Sequence, residues 1–103
     1  MNEDISKQRQ QLITERLLSA LDPSEIAVID ESHLHHKHQE AVQHGGGHFK
    51  LRIVSEKFVD KTELERHRMI YLALGESIGQ EIHALSIKAL TEDEQQTLIR
   101  AEI

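Results

Sequence analysis

The chain of 103 residues contains no cysteine and no tryptophan, a single proline, and only Phe49, Phe58 and Tyr71 as aromatics. Without thiols it has no disulfide staple and cannot supply the four-cysteine set that usually holds an iron–sulfur cluster. With aromatics at 3% it has little from which to build a stacking platform for single-stranded nucleic acid. Its formal net charge of −6, histidines neutral, opposes non-specific attraction to DNA but leaves room for a local basic patch. No apolar run approaches the roughly 20 residues of a membrane span. The opening Met1-Asn2-Glu3-Asp4-Ile5 has neither a signal-peptide core nor an Arg-rich transit pattern. The lack of cysteine fits a reducing compartment. The expectation is one domain over residues 1–103, cytoplasmic and without a membrane association.

Histidine is what the chain has in excess. Six of its eight histidines are His33, His35, His36, His38, His44 and His48. Imidazole is therefore the only common nitrogen or sulfur metal ligand on offer, and neutral imidazole suits zinc, iron, copper and nickel. The cluster is internal, interrupted by other residues and followed by Gly45-Gly46-Gly47, so it does not read as an expression tag. Taken alone it fits two readings: a loop that buffers zinc, nickel or copper, or a polar surface loop with only adventitious metal affinity.

Apolar spacing sets the frame around this cluster. Ile5, Leu12, Ile13, Leu17, Ala20 and Leu21 recur with helical period, and Asp22-Pro23 ends that helix because proline disfavours helical backbone in the residue before it. Ile26 to Ile29 is a short β-branched run that reads as a first strand. Residues 33 to 47 lack apolar periodicity and read as a long loop, of the kind that often carries function. A second strand runs from His48 to Val54, with Phe49, Leu51 and Ile53 facing one way and Lys50 and Arg52 the other. A helix is expected over about residues 62 to 78, opened by a Thr62/Glu65 capping box and stopped by Gly79. Ala84 to Leu90 forms a third strand, and a Thr91/Glu94 capping box opens a C-terminal helix with Leu98 and Ile99 on its apolar side.

The order helix-strand-strand-helix-strand-helix predicts an α+β fold. Strands one and two should form an antiparallel hairpin, and strands two and three should run parallel, in a three-stranded mixed sheet with helices on one face. The other face would carry Lys50, Arg52, Ser86 and Lys88, a small basic patch or a merely solvated surface. No nucleophile–base–carboxylate set stands out, and the glycine triplet lacks the Lys-Ser/Thr of a phosphate-binding loop, so an enzyme is not expected.

Several local motifs, in order, resemble the BolA family. They are Asp30-Glu31-Ser32 with His35 after the first strand, His48-Phe49 opening the second, Val54-Ser55 and Phe58, Arg66-His67-Arg68 with Tyr71, and Ile82-His83-Ala84-Leu85. The resemblance runs from the first helix to Glu94. It implies a fold like the class II KH domain, although no GxxG loop of the nucleic-acid-binding kind is present. It also implies a monothiol glutaredoxin as partner, and a [2Fe-2S] cluster shared with that glutaredoxin and glutathione in iron sensing or cluster delivery. The alternative it carries is a DNA-binding transcriptional regulator, here through Lys61, Arg66, His67 and Arg68 or through the basic sheet face.

On the resemblance, His83 is the constant cluster ligand, and a second comes from the preceding loop, ranked His35, His38, His48. The chemistry agrees, because imidazoles can replace two thiolates on one iron of a [2Fe-2S] centre, and a partner would then supply the thiols. Strand parity alone gives His83 another reading: it shares a face with Leu85 and Ile87, as a partly buried histidine hydrogen-bonded to backbone would. His67, on the apolar side of the middle helix, reads with Arg66 and Arg68 as packing and surface electrostatics. The free protein is expected to be a monomer or weak homodimer.

Overall fold

The computed structural model describes residues 2–31 and 47–102. Its elements are α1 (Asn2–Leu21), β1 (Glu25–Asp30), β2 (His48–Val54), α2 (Glu63–Leu74), β3 (Ala84–Leu90) and α3 (Glu92–Glu102), with 3-10 turns at Glu56–Phe58 and Gly75–Ser77. The expected loop falls on residues outside the described ones, apart from Gly47.

The sheet has the order β1-β2-β3. β1 and β2 pair antiparallel, Glu25 opposite Val54 and Asp30 opposite Phe49. β2 and β3 pair parallel, His48 beside Ala84 and Val54 beside Leu90. The α+β class, the mixed sheet and the strand order are those the apolar pattern predicts.

α1, α2 and the strands bury an apolar face, whereas α3 departs from its expected one: Leu98 and Ile99 are exposed and Gln95 is the side chain it buries. In α1, Ile13, Leu17 and Leu21 stand four apart and are buried. They meet Phe49, Leu51 and Ile53 of β2, Ile70 and Leu74 of α2, Phe58 and Ile82, with Leu85, Ile87 and Ala89 of β3 packed against them. Each large apolar side chain fully buried here contributes about 1.5–3 kcal/mol against leaving it in water. Lys50, Ser86 and Lys88 are exposed on the opposite sheet face.

The expected middle helix runs past its real end. α2 stops at Leu74, where Gly75 (φ 55°) turns the backbone left-handed and its N–H bonds Tyr71 O. The apolar period continues to Ile78 only because a 3-10 turn carries the chain onward beneath the core. Both capping boxes form: Thr62 with Glu65 and Thr91 with Glu94. Ser55 knits the ends of three elements together. Its hydroxyl donates to Leu21 O at 2.6 Å and its N–H to Leu90 O at 3.0 Å.

Candidate metal-binding corner at the start of β2 and β3

Strands β2 and β3 begin side by side, and a histidine stands at each start. His48 is the first residue of β2; His83 immediately precedes β3. The backbone between them is fixed from both sides. Gly47 O accepts from His83 N at 2.8 Å and from Ala84 N at 3.1 Å, while His48 O accepts from Glu31 N at 2.8 Å. A rigid strand end holds a ligand more accurately than a loop does.

Gly47 makes this approach possible. Its φ is +83°, and a Cβ there would lie 3.0 Å from Glu81 O and 3.2 Å from His83 N. Any other residue would strain its own backbone and push the His83 strand away. In the sequence Gly47 reads only as the last of a loop triplet. The signal that could have found it is a glycine directly before a histidine that opens a strand.

The His48 and His83 rings face each other with centroids 5.1 Å apart and planes tilted by 55°. With metal–nitrogen bonds of about 2.0–2.1 Å, two imidazoles on one tetrahedral ion have centroids roughly 5 Å apart. The ring pair is thus spaced as two nitrogen ligands of one metal ion would be. His83 is exposed and His48 half-buried. This corrects the parity reading of His83 as a partly buried core histidine: the strand starts one residue later, so the core-facing row begins at Leu85. Among the described residues, no group of three or more His, Asp or Glu side chains is placed to hold a metal ion. The corner therefore offers two nitrogens, and further ligands must come from beyond the described residues. His35 and His38 fall outside them.

His67 is half-buried on α2, 3.9 Å from Glu63. That agrees with its reading as a packing residue. Arg66, read with it as packing and surface electrostatics, is bound into the fold by specific hydrogen bonds. Its Nε donates to Lys61 O at 3.0 Å, its Nη1 to Ala89 O at 3.0 Å, and its two Nη atoms grip Glu94 at 2.6 and 3.2 Å. The guanidinium also lies 5.8 Å from the centre of the Phe58 ring. Hydrogen bonds from Arg66 and then from Thr91 N–H hold the Glu94 carboxyl down at about 2. On the sheet face, Arg52 is half-buried and its guanidinium bonds Gln95 of α3. Two of the cations expected to be available to DNA are therefore engaged within the fold.

An α+β domain with α1 and α2 on a three-stranded sheet, and paired histidines where its parallel strands start, defines a narrow class of protein. Residues 17–94 match the family described as BolA-like protein, and the chain belongs to it. A relative in Escherichia coli, named DNA-binding transcriptional regulator BolA, is 38% identical over 87 residues, covering 84% of this chain and 78% of that one. SufE-like protein 1, chloroplastic/mitochondrial, of Arabidopsis thaliana is 43% identical over 86 residues. The match covers 80% of this chain but only 23% of that much longer protein. The solved BolA domain of SufE1 from Arabidopsis superposes with a TM-score of 0.72 at 42% identity, covering 84% of this chain and 94% of that domain. Neither the family description nor the regulator's name is that of an enzyme. No helix among the described residues is long and apolar enough to cross a membrane. The Arabidopsis name assigns that relative to organelles, so membership of the family does not fix a compartment.

Proposed function

We propose that this BolA-like protein is an iron–sulfur binding adaptor that pairs with a monothiol glutaredoxin through a shared [2Fe-2S] cluster. The observation that carries the reading is the His48–His83 ring pair, 5.1 Å between centroids, on backbone pinned by Gly47. Its donor set suits the purpose. A chain without cysteine supplies imidazoles to one iron, and the partner's active-site cysteine and glutathione supply thiolates to the other. Such a corner cannot close a cluster alone, which makes cluster binding conditional on the partner. His83 and His48 are the ligands assigned at the corner, with His35 and His38 as alternatives for the second position. The protein's part is to hold two imidazoles at fixed spacing, with His83 exposed and His48 half-buried beside it.

Mixing the protein with a cluster-loaded monothiol glutaredoxin should give a 1:1 complex by native mass spectrometry, with a changed visible spectrum. Separate species, each unaltered, would contradict the reading. The name of the Escherichia coli relative supports a second reading, a DNA-binding regulator. It requires cations beyond Arg66 and Arg52, such as the exposed Lys50, Lys61, Arg68 and Lys88. Retarded DNA whose affinity falls steeply with salt, and falls further when Lys50 and Lys88 are neutralised, would favour it.

A further inference from the structure

The peptide unit that leads into His83 is held at both of its poles. Its N–H donates to Gly47 O at 2.8 Å, and its carbonyl, Ile82 O, accepts from Gly79 N–H at 2.8 Å. In a planar trans peptide these two groups point in opposite directions. The plane is therefore gripped from two sides and cannot swing without losing a bond. Gly79 belongs to a closed turn, in which Ser77 O accepts from Gln80 N at 3.1 Å and from Ile82 N at 3.0 Å. The turn is seated on the core at both ends. Ser77 and Ile82 are buried, and Ile78 packs against the core cluster.

Gly79 has a φ of +91°, and a Cβ there would meet nothing within 4 Å. Backbone conformation, and not space, is what calls for glycine at this position. A residue with a Cβ prefers negative φ and would turn its N–H away from Ile82 O. Two glycines of positive φ thus meet on one peptide, Gly47 as acceptor and Gly79 as donor. His83 is exposed, so the reach of its imidazole is set first by where its Cα–Cβ bond points. That direction follows from the peptide plane before it.

We propose that Gly79 is a positioning residue for His83, acting through Ile82 O from the side opposite Gly47. The proposal rests on the reading of His83 as a cluster ligand. It adds that the Ser77–Ile82 turn aims the imidazole before any partner arrives, so that the ligand need not be ordered at the moment of binding.

Gly79→Ala tests this without a steric clash. Asparagine tolerates positive φ better than alanine does, so Gly79→Asn is the rescue. Gly75→Ala is the control. Gly75 also has positive φ, 55°, and a Cβ there would meet only Arg16 Nη1, at 3.7 Å. It bonds Tyr71 and Ile78 rather than Ile82. In the free chain, amide exchange at position 79 and the residual dipolar coupling of the His83 N–H should change in Gly79→Ala. Both should return toward the parent in Gly79→Asn and stay there in Gly75→Ala. Mixed-complex formation with a cluster-loaded monothiol glutaredoxin can be followed by visible circular dichroism. The concentration of Gly79→Ala required should rise about tenfold, as on loss of a group that orients a metal ligand, and that of Gly75→Ala should not. An unmoved His83 N–H in Gly79→Ala, or an equal movement in Gly75→Ala, would overturn the proposal and leave the ligand reading intact. So would parent-like complex formation by Gly79→Ala beside a failing His83→Ala. Parent-like complex formation and nitrogen coupling in His83→Ala would instead overturn the ligand reading, and the positioning role with it.

Discussion

At its C-terminal end β3 meets Arg66, whose guanidinium is consumed by two carbonyls, one carboxylate and the face of a phenyl ring. At its N-terminal end β3 meets His48 across Gly47; there main-chain hydrogen bonds fix the backbone, and the half-buried His48 ring faces that of the exposed His83. Both places join separate elements, and both centre on residues of a type that could serve function. They differ in what the side chains have left to do. Arg66 ties α2 to the start of α3, and its charge is spent inside the molecule. The histidine corner uses main-chain hydrogen bonds to place two imidazoles side by side. A basic residue at a helix start is thus weak evidence for a nucleic-acid contact until its partners are known. Paired imidazoles on pinned strand ends are stronger evidence for a ligand set.

Substitutions at the two ends should separate them. The largest effect on stability is expected from Arg66→Ala, about 2–4 kcal/mol, because it orphans the Ala89 and Lys61 carbonyls and releases Glu94. Arg66→Lys should recover only part of this, since an ammonium cannot make the forked contact. Denaturant unfolding checks both, and a loss under about 0.5 kcal/mol for the alanine variant, as for an ordinary surface position, would remove Arg66 from its structural role. Gly47→Ala should follow, at about 1–3 kcal/mol for a left-handed backbone forced on a residue with a Cβ. Unlike Arg66→Ala, it should also disturb the spacing of His48 and His83. NMR shifts of both imidazoles would report this, and unmoved shifts would show that Gly47 does not set the corner.

A smaller effect belongs to acid. Glu94 is held at about 2 in the folded chain, below its ordinary 4.5. Its folded value is depressed, so its contribution is fully present above pH 4.5 and is lost as pH falls through about 2. The side chain is 45% exposed, so water and salt screen the pair and keep the contribution modest. Glu94→Gln should be less stable than the parent at neutral pH, with the difference closing between pH 4.5 and 2. A difference constant across that range would mean that the carboxylate's charge is irrelevant to holding α3.

Much of the fold is legible in the sequence, for reasons visible in particular residues. Phe49, Leu51 and Ile53 alternate, Ile13, Leu17 and Leu21 repeat every four, and Thr62 and Thr91 are each followed three residues later by glutamate. These are local signals, and tertiary contacts reinforce them. The end of α2 is illegible because Ile78 continues a helical period that the chain satisfies with a 3-10 turn. Of the site, His83 stands out through motif order and the family resemblance, whereas His48 ranks behind His35 and His38. The juxtaposition of His83 and His48 does not stand out, since it depends on the parallel register of strands separated by about thirty residues. Gly47 and the partners of Arg66 are hidden for the same reason: a close approach and a long-range hydrogen bond leave no periodic trace.

The central claim is that the corner supplies nitrogen ligands to a cluster shared with a glutaredoxin, and pulsed EPR of the reduced mixed complex tests it most directly. The unaltered protein should show strongly coupled nitrogen from imidazole. His83→Ala, at an exposed position, should leave stability within about 0.5 kcal/mol of the parent, yet remove or halve the nitrogen coupling, and His48→Ala should weaken it. Full nitrogen coupling retained in both variants, with the complex intact, would mean that the cluster takes its ligands elsewhere and that the corner is not its site.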